Sequence, residues 1–383
     1  MMTVLQVLEA TEGGTRRHLR DLVDALDPRE FRVSLAVSCG RDPAFREDVA
    51  DYAARGIPVF DVAMRRGIAP VADLVSLFGL LRCVWRARPD VIHAHSAKAG
   101  FLARLAGALC RVPVVYTPHV FPFLMSCGEE SRRFYRLLER CARGLTAALI
   151  AVSDEEAREA LRLGYAPARV RVIRNGVAPC PCGEVTVREA GAPRVGFFGR
   201  LTPQKGADLL VEAAADVVAH VPQARFVLYG AGEAEGPLRR LVAERQLGAH
   251  VRFAGPCAQA ETVARMRELD VVAVPSRWEG CPYVVLEALQ AGVPLVAASV
   301  GGVPELIRDG VNGVLVEPES EEALCDGLLG LLRDPQRRRC LAEQGRVSVA
   351  AHTAGAMAGA VAAVYRAVAR DGKSQKENAP AVP

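Results

Sequence analysis

The feature that most constrains the fold is an alternation of short β-branched runs with amphipathic helical stretches, which occurs twice along the chain. In the first half, helical stretches such as residues 16–26 and 74–86 separate the candidate strands. Alternation of this kind predicts a parallel sheet that is covered by helices on both faces. The candidate strands of this half are residues 4–8, 31–37, 59–61, 91–94, 114–117 and 149–152.

A second set of strand and helix units begins after a stretch of proline, cysteine and glycine at residues 177–192. Helical stretches at residues 207–218 and 321–333 again separate the strands. The sequence therefore predicts two doubly wound Rossmann-like domains facing across a cleft, at residues 1–176 and 193–352, with ligands outside the carboxyl ends of their strands. The candidate strands of the second set are residues 195–198, 226–229, 251–253, 271–274, 295–297 and 313–316.

Composition excludes several classes of protein. Of the 383 residues, 50% are hydrophobic and 24% are charged, which is typical of a globular chain. No apolar run reaches the ~18 residues of a membrane span, and the N-terminus lacks the features of a signal peptide. The eleven cysteines include no Cys-x-x-Cys pair, so we expect reduced thiols in the cytoplasm, without disulfides or structural zinc. We expect no nucleic-acid partner, and we expect disorder in the polar residues 371–383.

Residues 278–287, WEGCPYVVLE, combine two carboxylates with a helix start. Glu279 and Glu287 lie eight positions apart. Gly280 frees the backbone, and Pro282 suits the first position of a helix. The first-turn amides of such a helix attract anions. This pattern favours a sugar nucleotide, because one carboxylate can bind sugar hydroxyls and the other can bind ribose hydroxyls.

Two cations follow the candidate strand at residues 195–198. Arg200 and Lys205 lie on a loop that opens a helix, and the chain has only four lysines. Together they can neutralise the charges of a diphosphate. A basic loop that binds surface carboxylates is the alternative interpretation. The Gly-rich turn at residues 229–232 lacks the third glycine of a dinucleotide motif, so nicotinamide binding is not supported.

Glycine and histidine residues mark the ends of strands in the first half. The glycine pair that ends at Gly14 follows the first strand, where glycine lets backbone amides approach a phosphate. His93 and His95 lie on one face of a strand, and a metal site there would need a third ligand that the sequence does not identify. His119 follows the next strand. The basic run at residues 15–18 suits either an anionic acceptor or a solvated helix start.

Five segments of the chain occur in an order that resembles one enzyme family. The segments are Gly13-Gly14, RNGV (174–177), GFFGRLTPQKG (196–206), the pair Glu279 and Glu287, and AGVPLVAASVGGVPELI (291–307). They resemble the retaining glycosyltransferases of family 4, which have the GT-B fold. The resemblance extends over residues 3–370. It implies that residues 1–176 serve the acceptor, that residues 193–352 bind the donor, and that a helix at residues 353–370 crosses back to the first domain.

The resemblance also implies a reaction. A sugar would move from a nucleotide-diphosphate donor, with UDP-sugars favoured, to a glycan or lipid-linked acceptor, with retention of the anomeric configuration. Cell-envelope or exopolysaccharide synthesis is the implied setting. No cofactor and no metal are implied, because the chain has no Asp-x-Asp motif and cationic side chains would hold the diphosphate. Cys281 departs from the bulkier residue that is common in the family, which leaves the identity of the donor open.

Individual residues take roles from the same resemblance. Glu279 would hold the hydroxyls of the donor sugar, Glu287 those of the ribose, and His119 would stabilise charge at the anomeric carbon. The implied catalytic residues are His119, Glu279, Arg200 and Lys205. The implied donor-binding residues are Gly14, Gly199, Arg200, Lys205, Gly230, Glu279, Gly280, Tyr283, Val284, Val285 and Glu287. The candidates for the acceptor side are His95 and Arg16.

Other functions share this sequence pattern. A sugar-nucleotide epimerase of the same fold would need no acceptor, and a phosphorylase would need a pyridoxal-phosphate lysine. A non-catalytic partner would bind a sugar nucleotide without turning it over. The helical stretch within residues 64–88 is interpreted as a core helix, with contact to a membrane surface as the alternative. The expected location is the cytoplasm, with peripheral contact at the inner face of the membrane.

Overall fold

Runs rich in valine, leucine and isoleucine form a parallel sheet in the first unit of the chain. We describe a computed structural model that covers residues 1–40, 42, 44–65, 67–180 and 191–377, with side chains to residue 371. The strand order is β3-β2-β1-β4-β5-β6-β7, so the direction of winding reverses between β1 and β4. The strands are β1 (Met2–Leu8), β2 (Phe31–Val37), β3 (Val59–Asp61), β4 (Val91–His95), β5 (Val114–Thr117), β6 (Ala148–Ala151) and β7 (Val170–Val172).

Helices connect these strands, as parallel pairing requires. This first unit comprises Met1–Asn175 and Ala354–Pro383, so its last helix comes from the C-terminal end of the chain. The helices are α1 (Gly13–Ala25), α2 (Phe45–Ala54), α3 (Pro70–Ala87), α4 (Ala97–Cys110), α5 (Glu129–Ala142) and α6 (Asp154–Arg162), followed by the C-terminal helix at Ala354–Glu377.

The second unit, Gly176–Thr353, repeats this architecture. Its sheet has the order β10-β9-β8-β11-β12-β13, with the reversal between β8 and β11. The strands are β8 (Arg194–Phe198), β9 (Arg225–Tyr229), β10 (Val251–Gly255), β11 (Val271–Val274), β12 (Leu295–Ala298) and β13 (Val314–Val316). The helices are α7 (Ala207–His220), α8 (Glu235–Glu244), α9 (Gln259–Met266), α10 (Tyr283–Ala291), α11 (Val303–Leu306), α12 (Glu321–Leu332) and α13 (Pro335–Val349), so that the C-terminal helix is α14.

Helix α14 packs on the sheet of the first unit. Val361 and Tyr365 are fully buried and lie in one apolar cluster with Val4 and Phe31. Arg366 adds a bidentate ion pair to Glu30, with contacts of 2.6 and 2.7 Å. Burial of these apolar side chains stabilises the docking of the helix. The C-terminal helix is therefore part of the first unit's core.

Most elements lie where the sequence places them, and the expected fold of Rossmann-like α/β domains is confirmed. The short edge strand β7 was not predicted. Helix α1 begins at Gly13, three residues before the predicted helical stretch at 16–26. Pro282 lies just before α10 and not at its first position. Helix α14 continues to Glu377, into the segment for which we expect disorder. Of that tail, residues 378–383 lie outside the described residues, as do residues 181–190 of the expected linker.

Helix α3 differs from the expected core helix. Its inner face is buried, for example at Leu80 and Cys83. Its outer face is also apolar but exposed, with Phe78 at 60% and Trp85 at 74% of their surface accessible. Both faces are apolar, so periodicity does not identify the inward one. Among the described helices, none combines the length and the apolar composition of a transmembrane span.

Candidate active site

The loop that follows β8 is shaped by the turn that follows β9. The amide of Gly199 donates to the carbonyl of Tyr229 at 3.0 Å, and the amide of Leu201 donates to that of Ala231 at 2.9 Å. Gly230 has a φ of +152°, and a Cβ on it would lie 1.8 Å from the carbonyl oxygen of Gly199. Only glycine allows this approach. The glycine turn therefore fixes the backbone that carries Arg200.

Lys205 lies at the end of this loop, in a short 3-10 turn. Its Nζ donates to Oε1 of Glu279 at 2.6 Å, and the hydroxyl of Ser276 donates to the same oxygen at 2.7 Å. The side chains of Lys205 and Glu279 are 19% and 6% exposed, so solvent screens the pair only partly. The ends of β8 and β11, which flank the reversal of the second sheet, thus place a cation beside a carboxylate.

Gln204 joins Arg200 to the same network, a role that was not predicted from the sequence. A guanidinium nitrogen of Arg200 donates to Oε1 of Gln204 at 3.3 Å. The amide nitrogen of Gln204 donates to the carbonyl of Trp278 at 3.1 Å. The amide of Arg277 donates to the carbonyl of Gln204 at 2.8 Å. The structure therefore brings Arg200 and Lys205 together with the segment that carries Glu279.

Helix α10 begins immediately after this segment. Pro282 is its N-cap residue, and the amide of Val285 donates to the carbonyl of Pro282 at 3.2 Å. The amides of Tyr283 and Val284 come before it in the first turn. Such amides favour an anion. Glu287 follows in the same helix and is 8% exposed.

A second glycine turn supports the backbone of Glu279. The amide of Gly302 donates to the carbonyl of Gly280 at 3.0 Å. Gly301 has a φ of +54°, and a Cβ on it would lie 1.8 Å from the carbonyl oxygen of Glu279. Cys281, which departs from the family pattern, is 6% exposed and lies in the interior. The position of Glu279 therefore depends on glycine at position 301.

In the first unit, the ends of β4 and β5 carry a buried cluster of histidines. Nδ1 of His95 lies 3.1 Å from Nε2 of His119, and Nε2 of His95 lies 2.9 Å from Oε1 of Gln6. His93 Nδ1 lies 2.6 Å from the hydroxyl of Tyr365 on α14. Polar groups in a strand buried on both faces need partners. The side chains of this cluster therefore act as hydrogen-bond partners for one another.

His18, on α1, completes the cluster and was not recognised as part of it from the sequence. Its ring lies 4.6 Å from that of His119 and 5.3 Å from that of His95, measured between centroids. Its Nδ1 lies 2.9 Å from Oδ1 of Asn175. One ring nitrogen from each of His18, His95 and His119 lies within 4.8 Å of the others, which is a spacing that can hold a metal ion.

Burial lowers the pKa of these imidazoles. The pKa of His18 falls to about 4 because desolvation outweighs its hydrogen bond to Asn175. Burial, with a smaller contribution from neighbouring histidines, also lowers the pKa of His93, His95 and His119 well below the ordinary value. The rings are therefore neutral near pH 7, so they can accept a hydrogen bond or bind a metal.

The backbone at His119 is held in an unusual conformation. His119 has a φ of +57° and Val120 a φ of +95°, which is rare for a β-branched residue. The carboxylate of Glu156 holds this turn, since its Oε1 accepts from the amide of Val120 at 2.7 Å and its Oε2 from that of Val152 at 2.8 Å. Strain of this kind is common at functional sites. Glu156 was not identified from the sequence.

The glycine pair and Arg16 lie on the first turn of α1. Gly13 has a φ of +62° and opens the helix, and Gly14 follows it in an exposed position. Arg16 donates to Asp48 at 2.6 Å and to Asp42 at 3.2 Å. Two carboxylates therefore compensate its charge. The structure joins His95 to His119 directly, whereas it pairs Arg16 with residues on and before α2.

Proteins of known role resemble this chain. The UDP-Gal:α-D-GlcNAc-diphosphoundecaprenol α-1,3-galactosyltransferase of Escherichia coli is 29% identical over an alignment of 302 residues, which covers 75% of this chain and 78% of that protein. The D-inositol 3-phosphate glycosyltransferase of Mycolicibacterium paratuberculosis is 33% identical over 278 residues. That match includes 64% of this chain and 59% of the relative, so the chain spans less than two thirds of its length.

A solved structure confirms the fold. Anabaena HepE in complex with UDP and glucose superimposes with a TM-score of 0.79, covering 96% of this chain and 100% of that one. Its sequence is 23% identical, so the likeness concerns the fold alone. Together with the two parallel sheets, it identifies the architecture as GT-B.

Two family models match consecutive parts of the sequence. Residues 13–176 match the glycosyl transferase 4-like domain, and residues 184–348 match the glycosyl transferases group 1. These ranges contain the four histidines of the first unit's cluster, but not their partners Gln6 and Tyr365, and they contain the Lys205–Glu279 pair of the second unit. The chain belongs to the group 1 glycosyltransferases.

Proposed function

We propose that the protein transfers a sugar from a nucleotide-diphosphate donor to a glycan or lipid-linked acceptor, with retention of the anomeric configuration. The observation that carries the proposal is the 2.6 Å contact between Lys205 and Glu279, in a network that includes Arg200. A sugar diphosphate offers acidic oxygens next to hydroxyl groups. A cation next to a carboxylate complements this combination, because the cation can bind the acidic oxygens and the carboxylate can bind the hydroxyl groups.

The proposed roles are those that the family resemblance implies, and the charges of the residues suit them. Arg200, Lys205 and the first amides of α10 hold the diphosphate, each charge-assisted contact contributing about 1.5–3 kcal/mol. Glu279 accepts hydrogen bonds from the donor sugar and Glu287 from the ribose. Gly14, Gly199, Gly230 and Gly280 let the backbone approach the donor closely.

In the proposed reaction, an acceptor hydroxyl attacks the anomeric carbon from the face that the diphosphate leaves. The new C–O bond forms as the bond to the β-phosphate oxygen breaks, and the hydroxyl proton passes to that oxygen. The cations stabilise the charge of the leaving group, which is how preorganised groups lower a barrier. His119 is proposed to stabilise charge at the anomeric carbon, and His95 to lie on the acceptor side. No metal takes part, because cationic side chains supply the charge.

The relatives support the choice of substrates. The name of the Escherichia coli enzyme gives a UDP-sugar as donor and a sugar on diphosphoundecaprenol, a lipid diphosphate, as acceptor. HepE was solved with UDP and with UDP-glucose. We therefore favour a UDP-sugar and a lipid-linked or glycan acceptor, in cell-envelope or exopolysaccharide synthesis.

The exposed face of α3 supports contact with a membrane that holds such an acceptor. Val71, Phe78 and Trp85 recur along one side of the helix and are each at least 60% exposed, with the exposed Arg82 between them. An apolar stripe with a tryptophan and an arginine suits the interface of an anionic bilayer. We propose that α3 lies on the inner face of the membrane.

The decisive experiment measures released nucleotide from a panel of UDP-, GDP- and ADP-sugars, with and without lipid-linked acceptors and with a chelator present. Release that requires an acceptor, together with a glycosylated product of retained configuration, supports the proposal. A changed sugar nucleotide without an acceptor would identify an epimerase. Binding without turnover of any donor would identify a non-catalytic partner.

Membrane contact is tested separately by co-sedimentation with phosphatidylglycerol vesicles. The double variant Phe78→Glu/Trp85→Glu should lose binding, whereas Leu137→Glu should retain it, since Leu137 is 59% exposed on another helix, α5. Equal binding of both variants would exclude α3 as the contact.

A further inference from the structure

Three histidines of the first unit face a common point. The ring of His18 approaches those of His119 and His95 with centroids 4.6 and 5.3 Å away, and the latter two are 5.4 Å apart. One nitrogen from each ring lies within 4.8 Å of the others. Tetrahedral zinc with bonds of about 2.0–2.1 Å places its ligand nitrogens about 3.3 Å apart. The 3.1 Å between His95 Nδ1 and His119 Nε2 is already close to this separation.

The hydrogen bond of His18 involves only one of its two ring nitrogens. Its Nδ1 lies 2.9 Å from Oδ1 of Asn175, and an amide oxygen only accepts, so Nδ1 carries the proton. The remaining Nε2 then has a lone pair. This atom is buried and has no hydrogen-bond partner among the described residues, and His18 is 1% exposed. A buried lone pair without a partner costs free energy unless a ligand meets it.

The outer partners of the rings also match a metal site. Nε2 of His95 lies 2.9 Å from Oε1 of Gln6, whose amide nitrogen in turn donates to Tyr365 at 2.9 Å. Gln6 thus accepts a hydrogen bond from the ring of His95, and Asn175 accepts one from the ring of His18. In each ring the donor is the nitrogen that points away from the common centre. Metal-binding histidines donate their second N–H to an oxygen in this way, which fixes the tautomer and orients the ligand nitrogen.

We infer that His18, His95 and His119 bind a divalent transition metal ion of the zinc type, and that this ion inhibits the enzyme. Neutral imidazoles suit zinc, and a site with three ligands leaves the fourth position for water. Binding removes the contact between His95 and His119 and occupies the nitrogen of His119. The inhibitory part rests on the proposed function of His119, whereas the binding part does not.

Binding is tested by calorimetry with zinc chloride on the full-length, reduced protein. The wild type should bind one ion at this site. His18→Ala should weaken that binding by more than the ~10–100-fold loss that an outer partner causes, and Asn175→Ala should fall within that range. His220→Ala removes an exposed histidine of the second unit and should leave the affinity unchanged. Equal affinity of wild type and His18→Ala would overturn the proposal.

Cobalt distinguishes this site from one formed by cysteines. A site of three histidines should give the visible bands of tetrahedral cobalt without thiolate charge-transfer absorption, and His18→Ala should lose those bands. Charge-transfer absorption that persists in His18→Ala would overturn the proposal, because the ion would then be bound by cysteines.

Inhibition is measured as the rate with zinc divided by the metal-free rate of the same variant. The wild type should lose most of its turnover and recover it with a chelator, and His18→Ala should resist. If zinc binds at the histidines without inhibiting, the inhibitory role is wrong. If no donor is turned over at all, the proposed function fails, while the calorimetric result still decides whether the metal site exists.

Discussion

Lys205 Nζ lies 2.6 Å from Oε1 of Glu279, so the loop after β8 and the segment after β11 meet through an ion pair. Ser276 donates to the same oxygen at 2.7 Å. Among the described residues, the hydrogen bonds of Glu279 fall on Oε1, which leaves Oε2 to meet a sugar hydroxyl. The pair therefore positions the cation for the diphosphate and the carboxylate for the sugar at the same time.

Replacement of Lys205 should reduce turnover more than donor binding. Lys205→Ala removes a charge that we assign to the leaving group, and loss of one such group typically lowers kcat by about 10²–10³. The measurement is nucleotide released per enzyme at saturating donor. Lys98→Ala is the matched control, because Lys98 also forms a 2.6 Å ion pair, with Asp73. Equal kcat in both variants would show that Lys205 has no role in the chemistry.

Gly301→Ala should displace Glu279. Its Cβ would meet the carbonyl oxygen of Glu279 at 1.8 Å, in addition to the strain of a positive φ, which costs about 1–2 kcal/mol. Gly310→Ala carries the same strain at a φ of +69° but meets no atom within 4 Å. We therefore expect both variants to lower the melting temperature and only Gly301→Ala to raise the KM for the donor. A similar KM in the two variants would show that the position of Glu279 does not depend on glycine at position 301.

Local pattern was sufficient to predict the fold and the proximity of Lys205 to Glu279. Arg200, Lys205 and Glu279 follow strands that pair at the reversal of the second sheet, and parallel strands end at one edge. Knowing which strands these residues follow is therefore enough to predict that their side chains are neighbours. Gln204, which links them, is an ordinary polar residue in sequence, and its role depends on a contact to the carbonyl of Trp278.

The strand ends placed His93, His95 and His119 near one another, but the part played by His18 could not be predicted because the contacts that hold the cluster are distant in sequence. His18 and Asn175 are separated by 157 positions, and Gln6 and Tyr365 by 359. Their proximity depends on how α1 and α14 pack on the sheet, which periodicity does not specify. The metal-ligand spacing was missed for the same reason, since only His93 and His95 are close in sequence.

Stability of the first unit should fall as pH rises from about 4.5 to 7 because of Glu156. Burial raises the pKa of this carboxyl from 4.5 to about 7, so within this window the folded protein holds a proton that the unfolded chain has released. The free energy of unfolding therefore decreases as the pH rises, by about 3 kcal/mol in total. Urea denaturation at pH 5 and pH 8 measures this difference.

Glu156→Gln should remove this contribution to the pH dependence, since an amide does not titrate. It should also lower stability at pH 5, because one backbone amide loses its acceptor. Glu244→Gln changes an exposed carboxylate of the second unit and should leave the pH dependence as in the wild type. An unchanged slope in Glu156→Gln would assign the effect to another group.

Loss of Arg104 should destabilise the first unit more than any surface change. Arg104 is 1% exposed and contacts both oxygens of Glu139, at 2.5 and 3.0 Å. Arg104→Leu leaves a buried carboxylate without its counter-charge, which typically costs about 3–5 kcal/mol. The measurement is the free energy of unfolding from urea titration. Arg133→Leu is the control, because its pair with Glu129 is exposed and contributes about 0–1 kcal/mol.

The double variant Arg104→Leu/Glu139→Leu separates the cost of an unpaired charge from the loss of packing. When both partners are apolar, no buried charge remains, and such replacements are often neutral or stabilising. We therefore expect it to be more stable than Arg104→Leu alone. Tyr165, whose hydroxyl donates to Glu139 at 2.5 Å, then loses its acceptor, so recovery should be incomplete. A double variant as unstable as the single one would show that Arg104 acts through packing and not through charge.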